Sequence, residues 1–147
     1  MAKIKVDLPD TFSFSTAIPI RITDINYGNH VGNDAILSLI HEARMQFLKK
    51  YGLAELDFAG IGLIMRDVGI EFKSELFYGD TVTVSVTASE FSNLSFDIFY
   101  KLVTSGKDGK IVLAAIAKTG MVGYDYKKKK VAAIPDQART SLQSAGV

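Results

Sequence analysis

A chain of 147 residues, 48% of them hydrophobic and with a formal net charge of +1, is long enough for one compact core and too short for two, so a single domain over residues 1–147 is expected. It has no cysteine, which excludes disulfide frameworks, thiolate metal sites and a cysteine nucleophile. The near-neutral charge gives no electrostatic reason to expect nucleic acid, and the charged opening MAKIKVDLPD, with no apolar run of membrane-spanning length elsewhere, points to a cytoplasmic protein without a membrane partner.

In chain order, Thr11 to Thr23 sets Phe12, Phe14, Thr16, Ile18, Ile20 and Ile22 at a period of two. This is the pattern of a strand with one buried face, and Pro19 marks an edge position or a bulge. Beyond Asp24 the residues Asn26, Gly28, Asn29, Gly32 and Asn33 crowd together. They tolerate left-handed backbone and bond their own main chain, so Asn26 to Asn33 reads as a loop of specific shape, with Gly32 or Asn33 as a helix cap. From Asp34 to Tyr51 the apolar Ile36, Leu39, Ile40, Ala43 and Phe47 recur at spacings of three and four, with Gly52 as C-cap. That predicts a helix roughly 27 Å long, with Asp34 in its first turn and Lys49 and Lys50 in its last matching the dipole. Leu37, Met45 and Leu48 widen the apolar arc and leave a narrow polar strip of Ser38, Glu42, Gln46 and Lys49, so the helix is expected to be enclosed on most sides.

After a link from Leu53 to Gly60, strands are predicted at Ile61 to Phe72, Gly79 to Glu90, Leu94 to Leu102 and Ile111 to Val122, with a hairpin turn at Ser105 to Lys110. Tyr124 to Lys130 is expected to close the sheet, and Pro135 to Leu142 to add a short terminal helix. The outcome is an α+β layout, a curved antiparallel sheet wrapped around one long helix. An edge strand left unpaired and a helix too apolar for one sheet to cover both predict self-association, as a homodimer or a dimer of dimers.

The run Arg21-Ile-Thr-Asp24-Ile-Asn26-Tyr-Gly-Asn29-His30-Val-Gly32-Asn33, followed by Glu42-Ala-Arg44, resembles the hotdog-fold thioesterases of the 4-hydroxybenzoyl-CoA thioesterase type. Their pattern is R-x-x-D-x-D-x-x-G-H-V-N-N and then E-A-R or E-x-A-R within the helix. The step Tyr78-Gly-Asp80 and the pair Ile134-Pro135 extend the resemblance over nearly the whole chain. It implies the hotdog fold, a dimer or tetramer, and hydrolysis of an acyl-CoA or acyl-carrier-protein thioester without metal or organic cofactor, coenzyme A being part of the substrate. Three positions depart from the pattern. Asn26 stands where the family carries its catalytic carboxylate, Asn29 replaces a glycine, and Gly32 replaces the first Asn of the pair.

Thioester hydrolysis needs a carboxylate or imidazole to attack or to activate water, and donors aimed at the carbonyl oxygen as it becomes an oxyanion. Asp24 and His30 are the candidates for the first role, because the Asn26 amide has no proton-accepting form near neutral pH; Asn26 is left to orient water or the carbonyl. The backbone near Asn33 and Asp34 offers the donors. Each residue also has a structural reading: an Asx turn for Asp24, a loop-holding role for His30, loop and cap roles for Asn26 and Asn33. Arg44 projects toward the apolar arc and needs an ion partner, with Glu42 of another copy or Asp67 in view. Lys127, Lys128, Lys129 and Lys130 either receive coenzyme A phosphates at a subunit edge or form a solvated turn. The aromatics Phe12, Phe14, Phe47, Phe72, Phe96 and Phe99 are core by default, with a few of them open to lining an acyl tunnel. Two functions follow, an acyl-CoA thioesterase with an altered loop or a non-hydrolytic hotdog protein that binds an acyl thioester; a dehydratase is more distant, since no histidine-and-glycine loop of that kind precedes the helix.

Overall fold

A computed structural model describes residues 2–144. Its elements are β1 (Phe14–Pro19), a 3-10 turn at Ile22–Asp24, α1 (Asn33–Lys50), β2 (Gly62–Phe72), β3 (Thr81–Ser89), β4 (Ser95–Ser105), β5 (Ile111–Asp125), β6 (Lys130–Val131) and α2 (Asp136–Ser144). The sheet is antiparallel with spatial order β1-β3-β4-β5-β2, and β6 pairs with the end of β5. It curves around α1, the α+β hotdog arrangement expected. Among the described residues no helix is long and apolar enough to cross a membrane.

Alternation decides which face meets the helix. Val82, Val84 and Val86 on β3, Phe96, Ile98, Tyr100 and Leu102 on β4, and Ala115, Ala117 and Met121 on β5 are all buried, and they close a core with Ile36, Leu39, Ile40, Ala43, Phe47 and Leu48 of α1. A one-residue slip in any of these strands would turn its apolar set outward. On the opposite face the N-terminal segment lies across the sheet: Val6 packs with Phe99 and Ile116, and its N–H donates to Glu71 Oε2 at 2.8 Å.

Several expectations change at the ends of elements. The first strand stops at Pro19, because the chain then closes a 3-10 turn, and Ile22, read as inward-facing, is 68% exposed. β5 runs on to Asp125 and returns through a turn to the short β6, so Tyr124 to Lys130 is a hairpin rather than a further strand. α1 begins at Asn33 with Gly32 as N-cap, and Pro19 does sit on an edge strand. Phe72, assigned to the core, is half exposed on β2. Beside it on the helix-facing side of that edge strand, Met65 and Val68 are also well exposed, since α1 packs mainly against β1 and β3.

Arg44 is buried, and its partner is Glu55, not Asp67 or a Glu42 from elsewhere: Nε donates to Glu55 Oε1 at 3.1 Å and Nη1 to the Tyr100 hydroxyl at 3.2 Å. Tyr100 in turn shares a 2.7 Å hydrogen bond with Thr119. Burial opposes the guanidinium charge, but Tyr100 and Glu55 more than offset it, and burial holds the Tyr100 hydroxyl above its usual range. Removing one member of such a chain leaves the others unsatisfied in the core. Arg44→Ala is expected to cost about 3–5 kcal/mol of unfolding free energy and Tyr100→Phe about 1–3 kcal/mol. The double variant should lose clearly less than their sum in urea denaturation; strict additivity would show that the two side chains are energetically independent.

Candidate active site

The site is built on the path from β1 to α1. Asp24 ends the 3-10 turn and is only 5% exposed; its Oδ2 accepts from the Arg21 backbone N–H at 2.8 Å and from Arg21 Nε at 3.4 Å, and its Oδ1 from Arg21 Nη2 at 3.2 Å. The hydrogen bond to Asp24 pushes the Arg21 guanidinium pKa up. The carbonyl of Asp24 accepts the Gly32 N–H at 3.1 Å, which ties the end of the turn to the residue that caps α1.

Between them the chain makes a small hairpin. Ile25 bridges Val31, the Asn26 N–H donates to the His30 carbonyl at 2.9 Å, and the Asn29 N–H to the Asn26 carbonyl at 3.1 Å. Asn29 has φ +67°, the left-handed region that among side-chain-bearing residues asparagine enters at low cost, so a glycine is not required there. The Asn26 side chain turns back into the loop, Oδ1 accepting the Gly28 N–H at 2.8 Å. The Val31 N–H donates to the Leu76 carbonyl at 2.8 Å and anchors the hairpin to the β2–β3 connection.

His30 is 31% exposed at its side chain, and its Nδ1 lies 3.0 Å from the Val31 carbonyl, which can only accept. Nδ1 therefore carries the proton, and in the neutral ring Nε2 is left with a free lone pair. Nε2 is 3.8 Å from Glu75 Oε1 across a cleft of about 230 Å³ lined by His30, Asn33, Ile36, Phe72, Ser74 and Glu75. The first backbone bond of α1 runs from the Ile36 N–H to the Gly32 carbonyl at 3.2 Å, so the N–H groups of Asn33, Asp34 and Ala35 have no partner inside the helix. Gly32 contributes no capping side chain.

Two glycines bring the polar side chains together. A Cβ placed on Gly28 would lie 3.2 Å from Asn26 Oδ1 and 3.4 Å from His30 Nε2. One placed on Gly32 would lie 2.5 Å from Asp34 Oδ1 and 3.7 Å from Asn26 Nδ2. Asn26 thus sits between the His30 imidazole and the Asp34 carboxylate at the start of α1. Asp24 points away from this group into its pairing with Arg21.

Lys127 to Lys130 are not brought to it within one chain. Lys127, Lys128 and Lys129 lie in the exposed turn between β5 and β6 and Lys130 opens β6; Asp125 Oδ1 accepts the N–H groups of Lys127 and Lys128 at 2.9 and 3.0 Å. The Lys128 N–H above all holds the Asp125 carboxyl below the usual carboxylate range. From Ala114 beside the cleft to Asp125, β5 spans roughly 35 Å. Phe72, one of the aromatics open to tunnel lining, ends β2; the residues missed in the sequence, Ser74 and Glu75, come from the β2–β3 connection, and no local pattern marks them. Among the described residues no three His, Asp or Glu side chains are grouped to hold a metal ion.

No curated protein matches the chain closely in sequence. Solved structures match its fold. A thioesterase superfamily protein from Jannaschia has a TM-score of 0.81 at 19% identity, over 94% of this chain and 86% of that one. A 1,4-dihydroxy-2-naphthoyl-CoA thioesterase from Synechocystis has 0.77 at 21% identity, over 90% and 96%. The 4-hydroxybenzoyl CoA thioesterase from Pseudomonas sp. strain CBS-3 has 0.77 at 17%, over 87% and 97%. The sequence profile described as "Thioesterase-like superfamily" matches residues 20–142, from just after β1 through the loop, the helix and strands β2 to β6 into α2. By that match this chain belongs to the thioesterase-like superfamily, a group of enzymes that hydrolyse thioesters.

Proposed function

We propose that the protein hydrolyses an acyl-CoA, or an acyl-carrier-protein thioester, to a free acid and a thiol at the junction of the 24–33 loop with α1. The observation that carries this reading is the convergence of Asn26, His30 and Asp34 on one helix N-terminus whose first N–H groups have no partner among the described residues. Donors so placed suit a carbonyl oxygen that gains charge as water adds to it. The Ile36, Phe72 and Leu76 side chains give the adjoining cleft an apolar lining fit for the start of an acyl group. We assign Asp24 to the loop's framework rather than to proton transfer, since Arg21 occupies both of its oxygens. Coenzyme A enters only as part of the substrate, and hydrolysis by side chains and backbone donors calls for no metal or organic cofactor.

A second copy belongs to this reading. β2 is an edge strand of 11 residues with Met65, Val68 and Phe72 well exposed on its helix-facing side, and pairing two β2 edges about a two-fold axis would bury that row and leave no open edge there. Antiparallel pairing sets the Gly62 end of one strand beside the Phe72 end of the other. The 127–130 turn of each copy, which continues from β5 beside Gly62, would then approach the cleft of its partner and meet the phosphates of the coenzyme there. The assembly is a homodimer or a dimer of dimers.

Asn26 favours one alternative, a protein that binds an acyl thioester without hydrolysing it. Thiol release from aliphatic and aromatic acyl-CoA substrates decides between the two. Hydrolysis by the parent chain, reduced at least about tenfold in kcat/KM by His30→Ala, is expected. A parent inactive on every substrate, with activity appearing only in Asn26→Asp, would establish the binding protein instead.

Replacing Lys127, Lys128, Lys129 and Lys130 together with Gln should raise KM for acyl-CoA several-fold at low ionic strength and by less than about twofold at 1 M salt, where the Debye length is about 3 Å. The same change should leave KM for an acyl-pantetheine, which lacks the nucleotide phosphates, where it was. An equal effect on both substrates would remove the lysines from phosphate binding.

A further inference from the structure

We infer that Asp34 supplies the carboxylate that activates water, taking over the work that the amide of Asn26 is unable to do. The inference rests on the hydrolytic reading above and names the group that reading leaves open.

A general base needs an oxygen with a free lone pair beside the point where the carbonyl is held. Asp24 keeps lone pairs but not access: it is 5% exposed and both of its oxygens are engaged by Arg21, so an attacking water has little room beside it. Glu42 lies two turns further along α1 and accepts from Gln46 Nε2 at 2.6 Å. Glu75 stands across the cleft, against His30. Asp34 is different. The bonds of the loop go to Asp24 and Asn26, and among the described residues no donor reaches the Asp34 carboxylate, which is exposed to solvent at the first turn of the helix.

Its position depends on Gly32. A Cβ on that residue would stand 2.5 Å from Asp34 Oδ1, closer than a Cβ approaches any atom, so every side chain at 32 would push the carboxylate away. The same point is 3.7 Å from Asn26 Nδ2. Asn26 is held in one orientation, because its Oδ1 accepts the Gly28 N–H; its Nδ2 is left as a donor on the side near Gly32. Two departures from the family's sequence pattern are coupled in this way. Asn26 removes a carboxylate, and Gly32 opens the space from which another reaches the same spot.

The step balances with water as the only co-reactant. An Asp34 oxygen takes a proton as the water oxygen bonds to the thioester carbonyl carbon, and the carbonyl π electrons move onto an oxygen held by the Asn33 and Asp34 N–H groups and by Asn26 Nδ2. As that oxyanion collapses, the C–S bond breaks and its electron pair leaves with sulfur. The sulfur takes the proton from Asp34, which gives acid, thiol and the starting carboxylate.

The test is Asp34→Asn, Gly32→Ala and the exchange variant Asn26→Asp with Asp34→Asn, assayed with the best acyl-CoA and melted by circular dichroism. Asp34→Asn should lower kcat about 100-fold or more with KM held within about twofold, as loss of a general base does. Gly32→Ala should lower kcat about tenfold by displacing the carboxylate. The exchange variant should return to within about tenfold of the parent, a recovery that a merely structural Asp34 would not allow. If Asp34→Asn does not fold, Asp34→Ser, a residue at home at helix starts, takes its place. An active parent whose Asp34 variants keep more than half of kcat, or whose exchange variant stays as poor as Asp34→Asn, overturns the assignment alone. A parent inactive on every thioester overturns it together with the hydrolytic reading.

Discussion

An ionised carboxyl group removed from water has to be met by charge, and Asp24 is met by Arg21 through both backbone and guanidinium. The pairing fixes where β1 ends, because it closes a 3-10 turn instead of another strand residue. It also fixes where α1 begins, because the carbonyl of the same residue receives the Gly32 N–H. Everything chemical in the loop hangs between these two attachments. A short segment tied at both ends has few conformations open to it, so Asn26 and His30 are held in place without being buried themselves.

The sheet supports the loop from the other side. The N–H of Val31 reaches the Leu76 carbonyl, and the Lys73 and Ser74 N–H groups both reach the Ala114 carbonyl, so hairpin, β2–β3 connection and the start of β5 form one bonded unit. The long helix is held by apolar area rather than by these bonds. Ile40, Ala43, Phe47 and Leu48 are wholly excluded from water under β3 and β4. Polar order at one end of α1 and apolar burial along its length divide the labour of positioning the site.

How far these features were legible depends on the range of the interaction that sets them. Alternation along β3 and β4 and the three-four spacing of α1 are local, and they located each element to within a few residues. The end of β1 was misplaced because the inward series Phe14, Thr16, Ile18, Ile20 continues arithmetically to Ile22, whereas the Asp24 pairing breaks the strand first. Arg44 was read correctly as buried and paired. Its partner escaped because Glu55 lies in the link after the helix, where no periodicity orients it. His30 and Asn33 were visible in the loop motif. Ser74 and Glu75 were not, since they come to His30 only through the fold, from a segment more than 40 residues away in the chain.

The loop motif also shows how sequence departures divide by physical cause. Asn29 in place of glycine is a backbone matter: asparagine accepts φ +67°, the turn keeps its form, and no chemistry follows. Asn26 is a chemical matter, because geometry is kept while the capacity to accept a proton is lost. Gly32 is a steric matter, and it acts on a neighbour rather than on itself. The backbone there is extended, with φ −70° and ψ 155°, so no left-handed conformation calls for glycine. What glycine allows is the Asp34 carboxylate lying over its α-carbon, a place any side chain at 32 would make it leave. A helix N-cap that would ordinarily carry a side-chain acceptor for the first N–H groups carries none here, and those donors are left free beside the one unpaired carboxylate of the loop and first helical turn among the described residues.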